Sequence, residues 1–351
     1  MARADTRTWT TPQPALPEAA LPKPSPAPRA KPRVSFARSI TTQAYGAVKR
    51  AARAADAYSK FHDRVSFDDR RMQSDLLITV LAGYKQDLWP LVMPRLKTAV
   101  ATVGGADVCF VSPGKRDQAL AELCKSEGWS YLSTATNDVS LAQNVCLKLH
   151  DRAQWIVKLD EDMFLLPRTI IDIVDEYKRI KAEGRVDPGF VAPMIPLNGF
   201  CYRPLLRSLG LLAEYESRFG TAQLGTSGLP IHTDPLAARW IWEKTTPLED
   251  LPERLSTMPS EDLLSPIQFS IGIIVFERAF WEQFSYFNVS RRKLLAGMNT
   301  LGGDESHICA SAMIHSRPIV VTSKTAAGHF SFGGQYAGMI DLMRAKPALF
   351  A

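Results

Sequence analysis

Between residues 76 and 195 the chain alternates short apolar runs, rich in β-branched residues, with longer amphipathic stretches. The runs are 76–81 (LLITVL), 107–111 (DVCFV), 130–133, 155–159 (WIVKL) and 189–195. Each is short enough and apolar enough to be a strand buried on both faces. The stretches between them predict helices over 91–103, 117–127, 140–151 and 167–183. The last has Pro167 at its start and Gly184 just past its end, where each residue belongs. Strand–helix–strand repetition of this kind permits essentially one arrangement: right-handed crossovers feeding a mainly parallel sheet with helices packed on it. The predicted class is therefore α/β.

The rhythm stops after Pro196. Residues 197–266 are rich in Gly, Pro and aromatics and read as an insertion that carries specificity. It resumes with a strand over 269–276, a helix over 278–284, a helix opening at 302–307 and a last strand over 319–322. That strand leads into Gly328-His329-Phe330-Ser331-Phe332-Gly333-Gly334. No internal repeat is present, and the glycines form neither GxGxxG nor GxxxxGK[ST].

The N-terminal part has a different character. Residues 1–35 contain eight prolines and little apolar mass, which predicts a disordered tail over 1–38. Residues 39–64 place Ile40, Ala44, Ala47, Val48, Ala51, Ala55 and Tyr58 at helical spacing, with Lys49, Arg50, Arg53 and Lys60 off that stripe. The segment 39–72 reads as a basic amphipathic extension, packed on the domain or a partner, or resting weakly on an anionic membrane surface. Residues 1–74 hold 14 Lys+Arg against 6 Asp+Glu, and the remaining 28 against 30 leave the main domain, 73–351, near neutrality. That balance gives nucleic-acid binding no electrostatic support. The five cysteines form no CxxC pair and read as reduced, packed thiols. With no apolar leader and no run of about 18 apolar residues, the expected location is cytoplasmic, peripheral to the inner membrane if the basic helix docks there.

Chemistry concentrates at residues 155–166, WIVKLDEDMFLL, where a buried strand runs into Asp160, Glu161 and Asp162. Such acids are costly unless they stay wet or hold a cation. Alternation along a strand sends Asp160 and Asp162 to one side and Glu161 to the other. Two carboxylates on one side suit Mn²⁺ or Mg²⁺, and a solvated acidic loop is the plainer alternative. A second acidic pair, Asp304-Glu305, opens a predicted helix, where acids also complement the helix dipole.

In their order, these stretches resemble glycosyltransferases of the GT-A type, the nucleotide-sugar-dependent kind with a DxD motif. LLITVLAGY resembles that family's first nucleotide-binding strand and loop, and Leu141-Ala142-Gln143-Asn144 its helix before the DxD strand. Asp160-Glu161-Asp162 stands at the DxD, and GIIVFERAFWEQFSYFN followed by GGDESHIC resembles the stretch that carries the base of inverting members. The resemblance spans about 260 residues, from Asp75 to about Gln335. It implies a GT-A (Rossmann-like) domain with a donor half over 75–196, an acceptor region over 197–266 and a base-bearing half over 267–335. It implies that Asp162, with Asp160 directly or through water, holds Mn²⁺ or Mg²⁺ on the donor diphosphate, and that His329 completes the site. Ala82, Tyr84, Asn144 and Asp160 would contact the nucleotide-sugar, and Glu305 or the adjacent Asp304 would deprotonate the hydroxyl of a glycan or lipid-linked acceptor. The product would be a bacterial-type glycan. The chain departs from the pattern at Ser112-Pro113-Gly114, where an acid reading the nucleobase is usual, at Gln143 in place of Arg, and at Ser285-Tyr286-Phe287 in place of Gly-Gly-Phe.

Other residues border these motifs. His307 lies one step past the acids. Arg291, Arg292 and Lys293 precede them as a solvated loop or diphosphate contacts, and Trp240 and Trp242 are core or a sugar platform. Two further readings of the whole stand beside glycosyl transfer. One is a nucleotidyltransferase on a similar fold, for which AGYKQD is a poor Gly-rich loop; the other is a non-catalytic protein recruited through the basic helix.

Overall fold

A computed structural model describes residues 58–259, 263–289 and 302–350, together with Val48, Lys49 and Ala55. Most of the expected tail and helical extension, and Arg291 to Lys293, lie outside the described residues.

The compact unit that begins at Arg53 is built on a sheet with, among the described residues, ten strands. They are β1 (Val65–Asp68), β2 (Leu76–Leu81), β3 (Asp107–Ser112), β4 (Ser130–Thr134), β5 (Trp155–Asp160), β6 (Met163–Leu165), β7 (Phe190–Met194), β8 (Leu264–Ser265), β9 (Ile273–Glu277) and β10 (Ile319–His329). Their order is β1-β4-β3-β2-β5-β9-β7-β10-β6, with β8 also paired to β10. β2, β3, β4, β5, β7 and β10 run one way, and β1, β6, β8 and β9 run the other. This is a mixed α/β sheet in which two parallel runs, β4-β3-β2-β5 and β7-β10, are joined through the antiparallel β9.

The centre forms because its strands bury both faces. β3, β4 and β7 are buried along their whole length, and β2 at all but its last residue. The helix Val139–Leu149 packs on β2, β3 and β4, and the helix Thr169–Glu183 on β5, β7, β9 and β10. Local chemistry starts and stops these helices. Asp117 and Asp138 cap Gln118–Glu127 and Val139–Leu149 by accepting from the Leu120 and Leu141 N–H groups, and Gly128 and Gly184 end their helices in the left-handed conformation.

Several elements differ from the sequence reading. Residues 65–68, expected within the helical extension, pair antiparallel with β4 as an edge strand. The strand expected over 269–276 begins only at Ile273, because the backbone before it serves side chains instead: the Ile271 N–H donates to Glu305 and its carbonyl accepts from Lys158. β10 continues from Ile319 to His329, carried past polar residues by pairing with β7 and then β6. Residues 197–259 contain helices, among them Tyr202–Ser208 and Leu212–Phe219, too short to show a period, and Pro235–Thr245, capped by Asp234. Tyr202, Tyr215 and Trp242 anchor them in the core. Lys60, expected on the polar face of the basic helix, is buried and donates to the Ser285 carbonyl.

The described cysteines are all free and buried. Among the described residues no helix is long and apolar enough to cross a membrane.

Candidate active site

The acidic stretch sits where the chain changes partners. β5 ends at Asp160, whose N–H donates to the Gly272 carbonyl (2.8 Å). After Glu161 and Asp162 the chain leaves β5 and enters β6, which pairs with the end of β10 so that Met163 faces His329. Two strand ends and one turn thus bring Asp160, Asp162 and His329 together, with one ligand atom from each within 4.8 Å of the others. Gly272 keeps this crossing open. A Cβ there would lie 2.6 Å from the Met163 sulfur and 3.1 Å from two atoms of the His329 ring.

The trio lines a cleft of about 810 Å³, and so do Asp304 and Glu305 from the first turn of the helix Gly303–Ile314. Asp304 is buried and accepts from the Gln143 side chain (2.8 Å). Glu305 is half-buried and accepts from the Gln268 side chain (2.7 Å) and the Ile271 N–H (3.3 Å). The dipole of that helix and the cleft thus use the same two acids.

Two lysines neutralise the acids. Lys158 is 3% exposed, and its Nζ donates to Asp160 Oδ1 (2.6 Å) and the Ile271 carbonyl (2.8 Å). Burial works to discharge it, but the carboxylates of Asp160 and Asp304 outweigh burial and raise its pKa, so it stays a cation. Lys85 donates to Asp162 Oδ2 and to the Ser331 carbonyl. Asp162 Oδ2 also accepts the Ser331 N–H (2.8 Å) and lies 3.5 Å from His329 Nε2. Burial favours the neutral acid at Asp162, yet His329 and Lys85 hold its carboxyl well below the usual range. At Asp160 burial prevails over Lys158, and with the Asp162 charge it pushes the carboxyl up to about 6.

Glu161 turns away from the trio. Its carboxylate accepts the N–H groups of Gly83 (2.9 Å), Tyr84 (2.6 Å) and Lys85 (2.9 Å) and the Trp89 indole (2.7 Å). It thereby sets the loop after β2 that carries Ala82, Tyr84 and Lys85 along the cleft wall.

Of the residues predicted from sequence, Ala82, Tyr84, Asp160, Asp162, Asp304, Glu305 and His329 line one cleft. Asn144 does not. It is fully buried, donates to the carbonyls of Lys60 and Phe287, and accepts from the Trp281 indole and the Phe287 N–H. With its amide committed to protein on both sides, Asn144 is a clamp between chain segments and not a ligand contact. His307 is half-buried against Phe284 and accepts the Asn288 N–H, away from the cleft. Trp240 and Trp242 are both buried.

Lys158, Lys85 and Gly272 were not anticipated. For Lys158 a signal existed: it stands two residues before Asp160 and so shares a strand face with Asp160 and Asp162. Nothing in the sequence marks Lys85 or Gly272, whose roles come from long-range contacts.

The trio suits a hard divalent cation: two carboxylates and an imidazole. Among the described residues Asp160 Oδ2 and Asp162 Oδ1 have no hydrogen-bond partner, so each acid keeps an oxygen to offer beside its lysine.

No family profile and no curated protein matches the chain in sequence. Among solved structures, the fold is similar to the mannosyltransferase PcManGT of Pyrobaculum calidifontis, solved with GDP-Man and Mn²⁺, at 14% identity and a TM-score of 0.43. The match covers 83% of this chain and 66% of that protein, just under two thirds of its length.

Proposed function

We propose that the chain is a metal-dependent glycosyltransferase of the GT-A type. It would move a sugar from a nucleotide-sugar to an acceptor hydroxyl with inversion, in the building of a glycan. The observation that carries this reading is the single cleft lined both by Asp160, Asp162 and His329 and by Asp304 and Glu305. Glycosyl transfer needs both sets, because a base must be near the acceptor and a cation near the leaving group.

Asp160, Asp162 and His329 would hold the cation, which supplies charge neutralisation to the departing nucleoside diphosphate. Mn²⁺ fits this mixed oxygen and nitrogen set better than Mg²⁺, which demands stricter all-oxygen geometry. Lys158 keeps Asp160 oriented. The loop fixed by Glu161 forms the wall for the nucleotide. Glu305, half-buried and braced by Gln268 and the Ile271 N–H, takes the proton of the acceptor hydroxyl. As the acceptor oxygen bonds to the anomeric carbon, the bond from that carbon to the diphosphate breaks.

Calorimetry of nucleotide-sugars, with and without Mn²⁺, tests the reading. Binding should require Mn²⁺ and fall at least a hundredfold in Asp162→Ala. Binding that needs no metal and survives Asp162→Ala would sink it. Pyrophosphate release from a nucleoside triphosphate would favour a nucleotidyltransferase instead.

A further inference from the structure

Outside the cleft, a second group of ligand-type side chains lies in the core. The helix Val139–Leu149 packs on β2 and β3. At its C-terminal end Cys146 and His150 stand four residues apart, so both belong to one side of the helix. β3 supplies Cys109 and β2 supplies Thr79, which face each other in the sheet register. One ligand atom from each of Cys109, Cys146 and His150 lies within 4.8 Å of the other two. The Cys146 sulfur is 3.7 Å from Thr79 Oγ1 and 3.8 Å from His150 Nδ1. Cys109, Cys146 and Thr79 are fully buried, and His150 is nearly so.

The imidazole is only half satisfied. Its Nδ1 lies 2.8 Å from the Cys146 carbonyl, while its Nε2 is buried with no hydrogen-bond partner. A buried nitrogen left without a partner costs about 1–3 kcal/mol. A ring that donates from one nitrogen to a backbone carbonyl carries a lone pair on the other, which is how metal-binding imidazoles are commonly held. Two sulfurs and an imidazole, with no carboxylate among them, select Zn²⁺ over Mn²⁺ or Mg²⁺. Zn²⁺ with two thiolates is neutral overall, and a dry core accepts a neutral group far more readily than a net charge. Bonds of about 2.3 Å to sulfur and about 2.0 Å to nitrogen set tetrahedral ligand atoms about 3.5–3.8 Å apart. The Cys146 sulfur and His150 Nδ1 already stand at that spacing. The Thr79 hydroxyl is at hand for the fourth position. A way in exists at the helix end, where His150 is followed by the exposed Asp151 and Arg152 and local opening is easiest.

We propose that Cys109, Cys146 and His150 bind one Zn²⁺ as a structural centre that pins the helix Val139–Leu149 to β2 and β3. The inference does not depend on the glycosyl-transfer reading. The pinned helix carries Gln143, which holds Asp304 in the cleft. Thr79 is also the register partner of Lys158 on β5. The centre thus braces two cleft residues from behind.

The test uses the full chain, reduced and stripped of metal by a chelator, and titrates it with Co²⁺ and then Zn²⁺. Co²⁺ reports its ligands directly, since thiolate coordination adds a charge-transfer absorption that carboxylates and imidazole do not give. Wild type should develop that absorption at one equivalent, and Zn²⁺ should abolish it. Asp162→Ala, which disables the cleft acids, should keep it, and so should Cys124→Ser, a buried thiol outside the group. Cys109→Ser and Cys146→Ser should each bind Zn²⁺ at least a hundredfold more weakly and lose the rise in Tm that Zn²⁺ gives wild type. Absence of the thiolate absorption in wild type would overturn the proposal even if the serine variants fail to fold. So would an absorption that survives loss of Cys109 and Cys146 together, or one that disappears in Cys124→Ser.

Discussion

The Glu161 carboxylate is 6% exposed and accepts from three consecutive backbone N–H groups and an indole. Removing its charge while keeping its shape leaves buried donors competing for one amide oxygen. Glu161→Gln should therefore cost about 2–3 kcal/mol, the scale of a hydrogen-bonded buried charge, and hydrogen exchange at Tyr84 and Lys85 should accelerate. Unchanged exchange at those amides would show that the loop is held some other way. Asn144 and Glu161 teach the same point. From the sequence, both are polar residues in the motifs that resemble a donor site. What separates them from the residues proposed to hold the cation is that both sides of the Asn144 amide and both oxygens of Glu161 are taken up by protein donors and acceptors, and that depends on segments more than 70 residues away. Lys158 and Asp162 were more legible, because alternation along a strand ties them to Asp160 without any tertiary knowledge.

At the scale of elements, the site depends on how closely β9 starts against β10 and β6. Gly272→Ala forces the flexible Met163 side chain to move and presses the His329 ring by a few tenths of an ångström. Mn²⁺ affinity should fall about tenfold, or 1.4 kcal/mol, and Met163→Ala in the same chain should restore part of it. Titration of Mn²⁺ by electron paramagnetic resonance measures this directly, and equal affinity in wild type and Gly272→Ala would refute it. Strand legibility followed burial. β2, β3 and β5 were readable within a residue because double-sided burial demands unbroken apolar runs. β6 has three residues and follows two acids, and the second half of β10 reads SKTAAGH; both are strands through backbone pairing that leaves no apolar period to read. The helices of four to eight residues between 202 and 254 were hidden for want of length.

For the whole molecule, the cleft joins segments from both ends of the compact unit: the loop after β2, the end of β5, the helix Gly303–Ile314 and the end of β10. Ligand that bridges them should stabilise the fold globally. With Mn²⁺ and nucleoside diphosphate together at about 100 times Kd, linkage gives about 2.7 kcal/mol, a rise in Tm of several degrees at 2–4 °C per kcal/mol. Nucleoside diphosphate with a chelator should give little of that rise, and a full rise without metal would contradict the cation's role. β10 has one more consequence. It carries three residues, Ser323 to Thr325, that β7 does not match, since Thr322 faces Pro193 and Ala326 faces Met194. Downstream of that bulge the strand behaves as a ruler with two-residue graduations, because each step reverses the facing of every side chain beyond it. Between Ala326 and His329 the residue count is held, since a single insertion there would turn the imidazole to the other side of the sheet and leave Asp160 and Asp162 without it.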